Sequence, residues 1–139
     1  MVQAGDDLAG LLSAAMARAG LAPQKGDVLA VAQKIVSKAE GRSIALASVQ
    51  PSAAARDLAQ QTGKDARLVE LILSESERVV RARPNLIIVK HRLGFVMANA
   101  GIDQSNIGTD GHALLLPRDP DGSAAALAAR LGVAPPAWA

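Results

Sequence analysis

The near-absence of aromatic side chains most constrains what this chain can fold into: 139 residues contain one Phe, one Trp and no Tyr. Hydrophobic residues still make up 50% of it, so Leu, Val, Ile and much Ala must fill the interior. Small side chains bury less apolar area each, which predicts ordinary or low stability per residue. The length fits a single domain over residues 1–139, with a real but modest core.

With no Cys the chain has no disulfide framework and no thiolate zinc site, which suits a reducing, cytoplasmic setting. Net charge is +2 and pI about 9.4. Lys and Arg are interspersed with acids and never form a run, so nucleic-acid binding is not expected. No apolar stretch approaches the roughly 20 residues that cross a bilayer, and no signal pattern opens the chain, so no membrane role is expected.

Periodicity and punctuation predict the elements. Leu8, Leu11, Leu12, Ala15 and Ala19 recur at helical spacing, with Asp6 as N-cap and Gly20 as C-cap. The unbroken run Val28-Leu29-Ala30-Val31-Ala32 fits a strand buried on both faces, leading directly into Gln33 to Gly41. A short strand follows at Ser43 to Leu46. One helix begins at Pro51-Ser52 and stops at Gly63; another, capped by Asp65, turns Leu68, Val69, Ile72 and Leu73 inward. Strands are expected at Arg78 to Ala82, Leu86 to Val89 and Gly94 to Ala98, with Pro84-Asn85 as a turn. His112 to Leu116 reads as a strand, and Asp119-Pro120 opens a helix that buries Ala124, Leu127, Ala128 and Leu131. The double-Pro tail through Trp138 cannot be an ordinary central strand. Together these give an α+β class, a mixed sheet with packed helices.

Polar chemistry concentrates in Ala98-Asn99-Ala100-Gly101-Ile102-Asp103-Gln104-Ser105-Asn106, where an Asp and two Asn flank a Gly turn after an apolar strand. Such a turn delivers a carboxylate to a cation, and equally forms a local Asx turn. Lys34 and Lys38 read as solvated residues at a strand end. His91 reads as packed or surface, and His112 as a strand terminus. Arg92 suits an anionic substrate or a surface ion pair. Glu70, Glu75 and Glu77 look like a wet helix face. Neither a Walker-type loop nor Gly-x-Gly-x-x-Gly is present, so any nucleotide is held by other means.

Three separated segments carry a family resemblance: Gly26-Asp27-Val28-Leu29 through Lys38-Ala39-Glu40-Gly41-Arg42, Val79 through Pro84, and His91-Arg92-Leu93-Gly94-Phe95-Val96 through Asn106. In order and spacing they resemble the coenzyme F-420:L-glutamate ligases, over about the first half of a full-length member. That resemblance implies a partial ligase fold, a homodimer and a GTP-dependent amide ligase. Such an enzyme adds L-glutamate to the lactyl carboxylate of a deazaflavin coenzyme F-420 precursor through an acyl phosphate, then extends it through γ-linkages. Mg²⁺ or Mn²⁺ is implied as the divalent metal. Residue by residue, Asp103 matches a metal-binding Asp, Asn106 a GTP-contacting Asn, and Lys38 a GTP-contacting Lys. Gln33 stands where members commonly carry a small hydroxyl residue that touches nucleotide. No catalytic residue is identified by the match. In the family a strand with an Asp-Thr pair, beyond the point where this sequence stops, completes the metal site. The alternative reading is a noncatalytic nucleotide-binding or dimerisation domain.

Overall fold

The computed structural model describes residues 1–24, 26–105 and 111–133. It divides into two compact units, one formed by Met1–Arg42 with Leu116–Ala139 and the other by Ser43–Leu115. The α+β class expected from sequence is what is observed; the described strands form two small antiparallel sheets.

In the first unit, α1 (Leu8–Arg18) starts at Asp7 rather than Asp6: the Asp7 carboxylate accepts the Gly10 N–H, while Asp6 accepts from Gln3. An N-cap satisfies a donor that the helix leaves open, and here the Asp7 carboxylate meets the N–H at the third helical position. The helix ends in a Schellman arrangement, with Gly20 at φ +68° and the Leu21 N–H on the Met16 carbonyl at 2.9 Å. The predicted buried strand Val28 to Ala32 is not formed. Val28 is 88% exposed, and no described strand pairs with this run, so its apolarity alone cannot make a strand. The next residues form a helix, α2 (Gln33–Ala39), which places Lys34 and Lys38 on a helix instead of a strand end.

The last helix, α5 (Pro120–Leu131), opens as expected, with Asp119 accepting the Gly122 N–H and Pro120 at its first position. It packs against α1, and Arg130 pairs with Asp7 at 2.8 Å. Glu40 ties the chain segment before this helix to the end of α2, accepting from the Arg118 N–H and the Ser123 hydroxyl. Ala128 is its one buried residue and Ala124 is exposed, so the buried stripe is narrower than the sequence pattern predicts. The Trp138 tail lies outside the described residues.

The second unit begins with β1 (Ser43–Ala45), paired antiparallel with β5 (His112–Leu114). Helix α3 (Ala53–Thr62) is capped by Ser52 and stopped by Gly63 in the left-handed region; α4 (Ala66–Ser74) is capped by Asp65. The cap carboxylate also receives the Arg67 guanidinium, which holds its pKa below the usual Asp value. Both boundaries follow the sequence. The hairpin β2 (Ser76–Arg83) and β3 (Leu86–His91) turns at Asn85, φ +63°, and β4 (Val96–Ala98) pairs with β3. One apolar cluster joins Leu46, Ala55, Leu68, Val69, Ile72, Ile87, Val89, Ile102 and Leu115. It holds no aromatic residue, and Phe95 is 55% exposed. Aliphatic packing therefore carries this unit, at about 1.5–3 kcal/mol for each fully buried Val, Leu or Ile.

Candidate functional site

The segment that delivers Asp103 is built on an uncommon backbone. Asn99, Ala100 and Gly101 follow one another at φ +50°, +54° and +66°, closing a short turn in which the Ile102 N–H donates to the Asn99 carbonyl at 3.1 Å. The left-handed region costs an L-residue with a Cβ roughly 1–2 kcal/mol, with Asn and Gly the tolerant types. Ala100 is the residue that bears this cost. Two features offset it: the Ala100 methyl is fully buried in the core, and Asn99 Oδ1 accepts the Ile87 N–H of β3 at 3.3 Å.

From this turn the chain leaves directly into the sheet. Asp103 forms an isolated antiparallel bridge with Leu114 of β5, with backbone bonds of 2.9 and 3.0 Å. Its carboxylate, half-buried, accepts the Ser105 N–H at 2.8 Å through Oδ1. That is the Asx turn expected of this sequence, and it orients the carboxyl plane. The local capping role is thus observed for this side chain. Asn106 lies outside the described residues.

Gln33 and Lys38 both belong to α2, in the first unit. Gln33 is exposed at the helix start, and its Nε2 donates to the buried Ser37 hydroxyl at 2.5 Å. Lys38 is half-buried in the last turn, where a cation faces the partial negative charge of the helix end. Lys34 lies four residues earlier, so the two ammonium groups rise from one side of α2.

Among the described residues no three His, Cys, Asp or Glu side chains gather in a metal-ligating cluster. A single carboxylate suits Mg²⁺ or Mn²⁺ held together with phosphate oxygens, since a hard octahedral ion commonly takes one or two protein carboxylates plus substrate. Asp103 fits that donor set.

A buried charge cluster stands at the far end of β3, and sequence reasoning missed it. Glu75 caps α4 and is only 7% exposed, which corrects its reading as part of a wet face. Its Oε2 accepts from Arg92 Nε at 3.1 Å and lies 3.6 Å from His91 Nε2. His91 is fully buried, and its Nδ1 accepts the Leu93 N–H at 3.0 Å, which leaves the neutral ring's proton on Nε2, toward Glu75. Arg92 makes an ion pair, one of the two roles its sequence allowed. Glu70, by contrast, accepts the Ser52 N–H and hydroxyl, and Glu77 pairs with Lys90 at 2.6 Å on β2. The sequence signal for Glu75 is faint: it is the one acid between the last helical turn and the first strand residue, a junction with no length for a solvated loop.

Comparison with known proteins gives the family. The family model described as F420-0:Gamma-glutamyl ligase matches residues 1–134. The chain is similar to the coenzyme F420:L-glutamate ligase of Methanothermobacter thermautotrophicus, 51% identical over 89% of this chain and 49% of the relative. It is 48% identical to that of Methanopyrus kandleri over 94% of this chain and 49% of the relative, and 43% identical to that of Archaeoglobus fulgidus over 94% and 50%. The chain thus spans about half the length of the curated relatives it matches. No described helix is long and apolar enough to cross a membrane. By the extent of these matches, the chain belongs to the F420-0:γ-glutamyl ligase family.

Proposed function

We propose that this chain supplies part of the active site of a GTP-dependent γ-glutamyl ligase acting on the deazaflavin coenzyme F-420 precursor. A carboxylate is a poor acylating agent. In the proposed reaction a carboxylate oxygen of the precursor attacks the γ-phosphorus of GTP, GDP leaves, and an acyl phosphate forms. The amine of L-glutamate then attacks the acyl carbon, phosphate departs, and the amine loses a proton, leaving an amide. Bound Mg²⁺ or Mn²⁺ supplies charge neutralisation at the phosphates.

Within this proposal Asp103 holds the metal, its carboxylate aimed by the left-handed turn and by the Ser105 N–H. Lys38, Gln33 and Asn106 are assigned to the nucleotide: an ammonium meets phosphate as a point charge, and amides both donate and accept. The assembly is proposed to be a homodimer, as the family resemblance implies, and sedimentation of the chain at micromolar concentration reads this directly. The observation that carries the reading is a strained backbone, held from two sides, that ends on a single oriented carboxylate in a chain of this family. Strain of this kind clusters at functional sites.

Calorimetric titration of GTP into the chain, with and without Mn²⁺, tests the proposal. Saturable binding strengthened by the metal is expected. Absence of saturable binding in both conditions would favour a noncatalytic dimerisation domain.

A further inference from the structure

The pairing of β3 with β4 keeps one register, with Ile88 opposite Ala98, Val89 opposite Met97 and Lys90 opposite Val96. Carried one step further at each end, that register sets His91 opposite Phe95 and Ile87 opposite Asn99. The His91 N–H donates to the Phe95 carbonyl at 2.7 Å, so theirs is a hydrogen-bonded pair. Bonded and non-bonded pairs alternate along an antiparallel ladder, which makes Val89 with Met97, and then Ile87 with Asn99, bonded positions too. In a continued strand the main-chain carbonyl of Asn99 would receive the Ile87 N–H.

That carbonyl instead accepts the Ile102 N–H at 3.1 Å and closes the left-handed turn, while Asn99 Oδ1 takes the Ile87 N–H at 3.3 Å. The side-chain amide stands in for the main-chain one. Ile87 is fully buried, so without this acceptor its N–H would lose its bond with no water in reach. Asn suits the position twice over, because it tolerates φ +50° and carries a short side-chain carbonyl. Four residues on, Asp103 bonds to Leu114 of the other sheet. The chain from Asn99 to Asp103 therefore spans two sheets and is bonded at both ends, with Ala100 and Ile102 buried between.

We propose that Asn99 is a positioning residue of the metal site. By ending the β4 ladder on its own amide, it fixes where the chain leaves that sheet, and so where the Asp103 carboxylate meets a divalent cation. The proposal rests on the reading of Asp103 as a metal ligand and adds the group that sets its place. The Asn99 oxygen is committed to Ile87, so the residue acts through Asp103 and not as a ligand. Groups that orient a ligand in this way govern metal affinity without touching the ion.

The test compares the parent chain with N99G and N99D in two measurements, each made where circular dichroism shows the protein folded. One is the gain in GTP affinity on adding Mn²⁺, by calorimetry; the other is hydrogen exchange of the Ile87 amide, by NMR. Gly accepts the left-handed backbone and offers no acceptor, whereas Asp accepts it and keeps one. In N99G the Mn²⁺ gain should shrink about tenfold or vanish, and Ile87 should exchange faster. N99D should keep both the gain and the slow exchange. A full gain in N99G, or loss of the gain in N99D with Ile87 still protected, overturns the proposal. So does an Ile87 amide in the parent that exchanges as fast as an exposed one, a result that needs no variant to fold. Absence of any Mn²⁺ gain in the parent is failure of the metal reading itself, and a parent gain undiminished in N99G is failure of this proposal alone.

Discussion

Asp103 and Leu114 exchange both of their backbone hydrogen bonds, the N–H of each donating to the carbonyl of the other at 2.9 and 3.0 Å. The residue assigned to the metal is therefore pinned to the sheet at its main chain, one residue past Ile102, while its carboxylate is aimed by Ser105. Position comes from the ladder and direction from the Asx turn. The left-handed turn before it makes the two compatible.

Gly101 closes that turn at φ +66°. Gly101→Ala adds a third Cβ in the left-handed region after Asn99 and Ala100, and should cost about 1–2 kcal/mol. Urea unfolding should show a lower midpoint with an unchanged slope. No loss of stability would mean the turn relaxes in solution.

Glu75, itself buried, contacts both the fully buried His91 and the more exposed Arg92. Glu75→Ala removes a contact of each and should destabilise the chain by about 1–3 kcal/mol, the cost of taking a partner from a buried polar group. Glu75→Gln should recover part of this. Thermal unfolding of the two variants checks the order.

The sequence makes α3, α4 and α5 legible because each opens on a side-chain cap at a fixed offset, Ser52, Asp65 and Asp119. It misleads at Val28 to Ala32, where an apolar run without a ladder partner stays exposed, since pairing is a non-local property. In β2 the residues that stand opposite buried partners on β3, Ser76, Val79 and Ala82, recur every third position, because two register shifts replace the period of two. A reader of periodicity cannot see that. The Asp103 segment is visible as composition, but its consecutive positive φ angles are visible only in coordinates.

Glu70 accepts two hydrogen bonds from Ser52, the hydroxyl and the N–H, and these hold its carboxyl below the ordinary glutamate range. A carboxyl depressed in the folded state contributes stability above its unfolded pKa and loses it as pH falls through the folded one. Glu70→Gln should therefore cost about 0.5–1 kcal/mol at neutral pH, the modest value of a solvent-screened contact. The variant's stability should fall less steeply than the parent's from about pH 5 to pH 3. Parallel curves would contradict the linkage.

Lys38 ends α2 and is half-buried. Lys38→Ala leaves a good helix former in place, so the fold should change by less than about 1 kcal/mol. GTP affinity should drop about tenfold or more, as one charge-assisted hydrogen bond of about 1.5–3 kcal/mol is lost. Unchanged affinity in a folded variant removes Lys38 from the nucleotide contacts.

The most direct measurement is the coupling between Mn²⁺ and GTP in the parent chain and in Asp103→Asn, which deletes the charge and keeps the size and the acceptor of the Ser105 N–H. With one protein carboxylate in the donor set, phosphate oxygens complete the metal's coordination, so each ligand should strengthen the other. The account predicts that Mn²⁺ tightens GTP binding in the parent and that this gain disappears in the variant, with thermal stability little changed. An equal gain in both proteins would contradict it and leave Asp103 as a structural turn residue.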